Sequence, residues 1–122
     1  VYRYANAFLY RSLLESATRY LADNQKKVDF KEKNLGSSIS SAFCYFGNLP
    51  KGNGMVSSKL VRMWRDIVSR RELINTLNGY IHEDTAVDAL FLQETWSTMQ
   101  TYVLACIKTV ENNHRENRTI KR

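Results

Sequence analysis

The histidine whose setting suits chemistry is His82, which closes the stretch Leu77-Asn78-Gly79-Tyr80-Ile81-His82. An imidazole with an unperturbed pKa of about 6.5 can take or give a proton near neutrality. Asn78 stands four residues earlier, and on a helix the two share a face. An amide beside an imidazole can orient the ring or hold a phosphate oxygen. Cleavage of RNA by its own 2′-OH needs a proton acceptor, a proton donor and positive charge at the phosphate. Two chains that meet, each supplying one histidine, would complete that set. The same pair of side chains can equally form a buried polar network that joins two helices. His114 lies in a basic tail with no comparable setting.

The charge around this stretch is carried by arginines. Arg70 and Arg71 precede it on the same segment, and Arg62 and Arg65 lie on a polar face just upstream. A basic helix face can track phosphates, and it is also what a solvated face looks like. Arg11 and Glu15, four apart near the start, share a flank on which a surface ion pair is the simple expectation. No serine sits in a nucleophile elbow. Histidine, cysteine and aspartate are too scattered for a metal site, and no cofactor is expected.

Helices must position these groups. The spacing predicts a first helix over residues 2–23, with Ala5, Phe8, Leu9, Leu13, Ala17, Tyr20 and Leu21 as its buried stripe. A second is expected over 31–46, burying Leu35, Ile39, Ala42, Phe43 and Phe46. Gly47-Asn48 and Pro50-Lys51-Gly52-Asn53-Gly54 then break the chain. Ser57 or Ser58 can cap a third helix through Leu60, Val61, Trp64, Ile67 and Val68. The pattern runs on through Leu73, Ile74, Leu77 and Ile81, as one long helix or as two with a bend near Ser69–Arg71. Thr85-Ala86-Val87-Asp88 has the shape of a capping box, so Thr85 is expected to cap a last helix over about 86–111. Its seam is Ala89, Leu92, Trp96, Met99, Val103, Ile107 and Val110, and Asn112-Asn113 should loosen it.

The fold class expected is therefore all-α, an antiparallel bundle of four to five helices in one domain spanning residues 1–122. A chain of 122 residues, 43% hydrophobic and 25% charged, with one proline and five glycines, suits long helices around one core. Much of the net charge of +6 lies in the tail beyond about residue 112, and the balance is compatible with a nucleic-acid partner. No apolar run reaches the roughly 20 residues of a membrane span. Cys44 and Cys106 each sit among apolar neighbours, so buried free thiols and a reducing cytoplasm are expected. A chain that starts at Val1 reads as a fragment or a C-terminal module of a longer protein.

Two short motifs resemble the HEPN superfamily of small helical bundles, many of them in toxin–antitoxin, abortive-infection and other defence systems. Arg11-Ser12-Leu13-Leu14-Glu15 resembles its Arg-x-x-x-Glu pattern, and Leu77-Asn78-Gly79-Tyr80-Ile81-His82 its Arg-Asn-x-x-x-His motif. The resemblance covers about residues 4–110. It implies a bacterial stress or defence protein that binds RNA or cleaves it weakly as a metal-independent endoribonuclease. A homodimer would bring two motifs to one cleft, and other domains of a longer chain would be further partners. His82 would be the catalytic histidine and Asn78 its polar support, with Arg11 and Glu15 near the cleft. The sequence departs from the motif at Leu77, where the family has its arginine. That departure favours the alternative, a dimerisation or interaction domain that has lost nuclease activity.

Overall fold

Five α-helices in the order of the chain make up the computed structural model, which describes residues 2–49, 56–82 and 86–120; of residues 2, 3 and 116–120 only the backbone is described. They are α1 (Tyr2–Asn24), α2 (Leu35–Gly47), α3 (Ser58–Arg65), α4 (Leu73–Ile81) and α5 (Ala89–Ile120). The described residues contain no strand. Expected and observed architecture agree: an all-α bundle. α1 packs along α5, α4 and α2, and α3 packs on α2 and α5.

Local signals explain the starts. Asn34 Oδ1 accepts the backbone N–H of Ser37 at 2.9 Å and caps α2. Ser38, buried on that helix, accepts from the backbone N–H of Lys31 at 2.7 Å, so the preceding loop is stitched to α2 rather than wound into it. That is why α2 begins at Leu35 and not at residue 31. Ser57 caps α3, accepting from the N–H of Leu60 at 3.2 Å. The start of α5 is capped by Asp88, whose Oδ1 accepts from Leu90 and Phe91 at 3.0 and 3.2 Å. Thr85, expected in that role, lies outside the described residues, as do Pro50 to Gly54 of the glycine-rich loop. α5 does not loosen at Asn112-Asn113. Asn113 donates to Asn24 Oδ1 at 3.0 Å across to the end of α1, and the helix continues to Ile120.

The bend between α3 and α4 has two parts. Asp66–Arg70 forms a single π turn, closed by Arg71 N–H to the Asp66 carbonyl at 3.2 Å. Glu72 then takes a left-handed backbone (φ 48°, ψ 48°), a costly conformation for a residue with a Cβ, and α4 starts afresh from it.

At the centre Trp64, Phe43, Phe46 and Tyr102 meet ring to ring at 5.4–6.3 Å between centroids. Trp64 and Tyr102 are fully buried, and both polar tips are satisfied. Trp64 Nε1 donates to Thr101 at 2.9 Å, and Tyr102 shares a 2.7 Å bond with Thr18. Tyr10 donates to Thr95 at 2.9 Å one level along the same interface.

Those two polar pairs turn α1 to a different face from the one its apolar spacing suggests. The buried residues are Ala7, Tyr10, Leu14, Ala17, Thr18 and Leu21. Of the expected stripe, Ala17 and Leu21 are buried, while Ala5, Phe8, Leu9, Leu13 and Tyr20 are exposed, Phe8 by 62% and Leu9 by 57%. α1 is apolar on two sides, and the side that reaches hydroxyl partners on α5 wins. Cys44 is a second correction. It is exposed on the outer side of α2, where Arg65 Nη2 approaches its sulfur at 3.8 Å, and only Cys106 is buried.

Candidate functional site

α1 and α4 bring three of the expected groups together. Arg11 Nε donates to Asn78 Oδ1 at 2.7 Å, and its Nη1 to Glu15 Oε2 at 3.3 Å. The Arg11 and Glu15 side chains are both about one-third exposed, so the pair is neither sealed nor free in solvent. Glu15 also meets Arg19 at 3.8 Å, and Arg19 lies over the Phe30 ring and reaches Glu32. The result is a ladder of alternating charge along one flank of α1, anchored to α4 through Asn78.

Leu77, which departs from the motif that the sequence resembles, is fully buried. A helix turns about 100° per residue, so Leu77 points into the core while Asn78 stands at its edge. An arginine at 77 would bring an unpaired charge into the core. The cation next to Asn78 is Arg11, from α1.

His82 is the C-cap of α4. Its backbone N–H donates to the Asn78 carbonyl at 3.0 Å, and its ring is exposed, with no side-chain partner among the described residues. It is not a member of a buried polar network. Its ring stands one helical turn beyond the Arg11–Asn78 side-chain pair and makes no hydrogen bond to it.

The four other arginines divide. Arg62, Arg65 and Arg70 are exposed on the outer side of α3 and its π turn, together with Lys59. Asp66 is the acid among them, paired with Arg70 at 3.5 Å. Arg71 turns the other way, bonding Glu94 of α5 at 3.4 Å and lying 4.9 Å above the Phe91 ring. It is therefore a strut between α4 and α5 and not part of the basic row.

Two concave surfaces border these groups or the helix that carries them. A polar cleft of about 370 Å³ is lined by Arg11, Lys33, Asn34, Gly36, Ser69, Glu72, Asn75 and Asn78, with Leu35, Val68 and Ile74 at its floor. Ser69 also borders the basic row, so cleft and row adjoin. An apolar groove of about 420 Å³ runs between α1 and α5, with Leu9, Leu13, Leu92 and Trp96 in its walls. Lys33, Lys59 and Asn75 are site residues that the sequence reading passed over. The spacing of three between Asn75 and Asn78 was the available signal, since it places both amides on one helix face.

Among the described residues no group of three or more histidine, cysteine, aspartate or glutamate side chains gathers as metal ligands do, and no helix is long and apolar enough to cross a membrane. No family model, no curated protein and no solved structure matches the chain.

Proposed function

We propose that the chain is a HEPN-like module that binds RNA through the outer side of α3. The observation that carries this reading is the row Lys59, Arg62, Arg65 and Arg70, exposed together with Asp66 as the acid among them. Four cations along about three turns, with one acid among them, make a basic strip along which a phosphate backbone can lie. Binding of this kind releases counterions, so it weakens steeply with salt and carries little base preference. The test is fluorescence anisotropy of a short labelled single-stranded RNA at several salt concentrations. Arg62→Glu and Arg65→Glu should each weaken binding, and the corresponding alanine variants should each lower the salt slope by about one. Affinity unchanged in the charge-reversed double variant would overturn the reading.

A second reading, weak metal-independent cleavage, is favoured by one distance. Arg11 is fixed on Asn78 at 2.7 Å, one turn from the exposed His82. A second protomer supplying another His82 would give the acid and the base. Cleavage in chelator-containing buffer that vanishes in His82→Ala, with binding retained, supports it. Binding without cleavage in the wild-type chain leaves RNA binding alone.

A further inference from the structure

The polar cleft has a donor inventory that the basic row does not need. Arg11 spends Nε on Asn78 and Nη1 on Glu15, and its Nη2 has no partner among the described residues. Asn78 accepts through Oδ1, which leaves its Nδ2 protons unused. Lys33, Asn75 and Ser69 line the same cleft, and no described residue accepts from their side chains. Gly36 presents bare backbone in the first turn of α2 to the same space. Glu72 is the carboxylate on this lining. The lining therefore offers N–H and O–H groups from six side chains, Arg11, Lys33, Asn34, Ser69, Asn75 and Asn78, against the Glu72 carboxylate, with Glu15 bonded to Arg11 from outside the cleft. Its ligand must be rich in acceptors and small enough for about 370 Å³.

We propose that this cleft is a binding site for a phosphate monoester. A monoester dianion brings acceptors on three terminal oxygens and about two negative charges at neutral pH. Arg11 and Lys33 meet the charge, Asn75, Asn78 and Ser69 donate to the remaining oxygens, and Glu72 accepts from hydroxyls of the group that carries the phosphate. Two sources share this chemistry, free phosphate esters and the 5′ end of an RNA lying on the adjoining α3 row. The second source rests on the RNA reading above; the site itself does not.

The test is an amide-resolved NMR titration of the full chain with inorganic phosphate, and with short RNAs that carry a 5′-phosphate or a 5′-hydroxyl. Saturable shifts at Gly36, Asn75, Asn78 and the Arg11 Nε–H are expected with inorganic phosphate. Gly36→Asp is the decisive variant. A Cβ at Gly36 meets only Asn34 Oδ1, at 3.7 Å, and an acid in the first turn favours the helix, so this variant folds. It should abolish the saturable shifts, whereas Gly36→Ala keeps most of them and Glu72→Gln strengthens binding. A 5′-phosphate RNA that outcompetes its 5′-hydroxyl twin identifies the RNA end as the source; equal affinity of the two RNAs, with phosphate still bound, identifies a free ester. Phosphate that saturates the cleft while no RNA binds sinks the RNA reading and keeps the site. RNA binding with no response of the cleft to phosphate, or shifts unaltered in Gly36→Asp, overturns the site.

Discussion

Arg11 Nε and Asn78 Oδ1, 67 residues apart in the chain, lie 2.7 Å from one another. The bond ties α1 to α4 at the edge of the core. A charge-assisted bond at a one-third-exposed site is worth about 1 kcal/mol after discounting for solvent. Arg11→Ala and Asn78→Ala should each cost on the order of 1 kcal/mol. A double-mutant cycle in urea should recover a coupling of about that size. Additive losses would mean that the two side chains act independently in solution.

The orientation of α1 makes a sharp contrast between neighbours. Leu13 faces solvent at the edge of the apolar groove, and Leu14 is fully buried. Leu13→Ser should cost about 1 kcal/mol, since Leu13 is only 36% exposed, and Leu14→Ala should cost about 2–5 kcal/mol. Equal costs in denaturant titrations would mean that the helix is turned toward the stripe its spacing suggests.

Thr109 carries a buried hydroxyl with no hydrogen-bond partner among the described residues. Its desolvation is uncompensated, and valine has the same shape without the polar atom. Thr109→Val should raise the unfolding free energy by about 1 kcal/mol. A loss of stability in that variant would show that the hydroxyl is satisfied in solution.

Alkaline pH should unfold the protein from inside. Burial pushes the Cys106 thiol from 9.0 up to about 12, and burial likewise raises the hydroxyls of Tyr10 and Tyr102. Each group is neutral in the fold and ionises more readily in the unfolded chain. The stability they support is complete below pH 9 and falls as pH rises from 9 through about 12. Melting temperature against pH should be level up to pH 9 in this respect and then decline. The decline should be shallower in Cys106→Ala, relative to that variant's own neutral-pH value. An identical slope in wild type and variant would remove Cys106 from the account.

Where the chain was apolar on one side only, the sequence was enough to orient a helix. The expected faces of α2, with Leu35, Ile39 and Phe43, and of α4, with Leu73 and Leu77, are buried. α1 was not legible in the same way, because its choice between two apolar sides is made by Tyr10–Thr95 and Thr18–Tyr102, contacts across more than 80 residues. The site was legible in pieces. Arg11, Glu15 and Asn78 could be named from short spacings, and the structure joins them. Asn75 could have been joined to Asn78 by their spacing of three on α4, but Lys33 could not be assigned to the same cleft, since the loop before α2 is brought to α4 only by the packing of the whole bundle. Arg71 shows the reverse problem: it follows the basic Arg70 in sequence, but the left-handed Glu72 after it redirects the chain, and its side chain reaches Glu94 and Phe91.

The π turn at Asp66–Arg70 holds one residue more than an α-turn would over the same path. Deleting a residue from an ordinary helix rotates everything beyond it by about 100°. Here a one-residue deletion within 66–70 would instead let the turn rewind as regular helix, with Trp64 on one side and Leu73 and Leu77 on the other keeping their inward aim. The junction of α3 and α4 is thus a place where chain length can vary by one without rephasing the core, and related chains of different length should differ there before they differ inside α2 or α5.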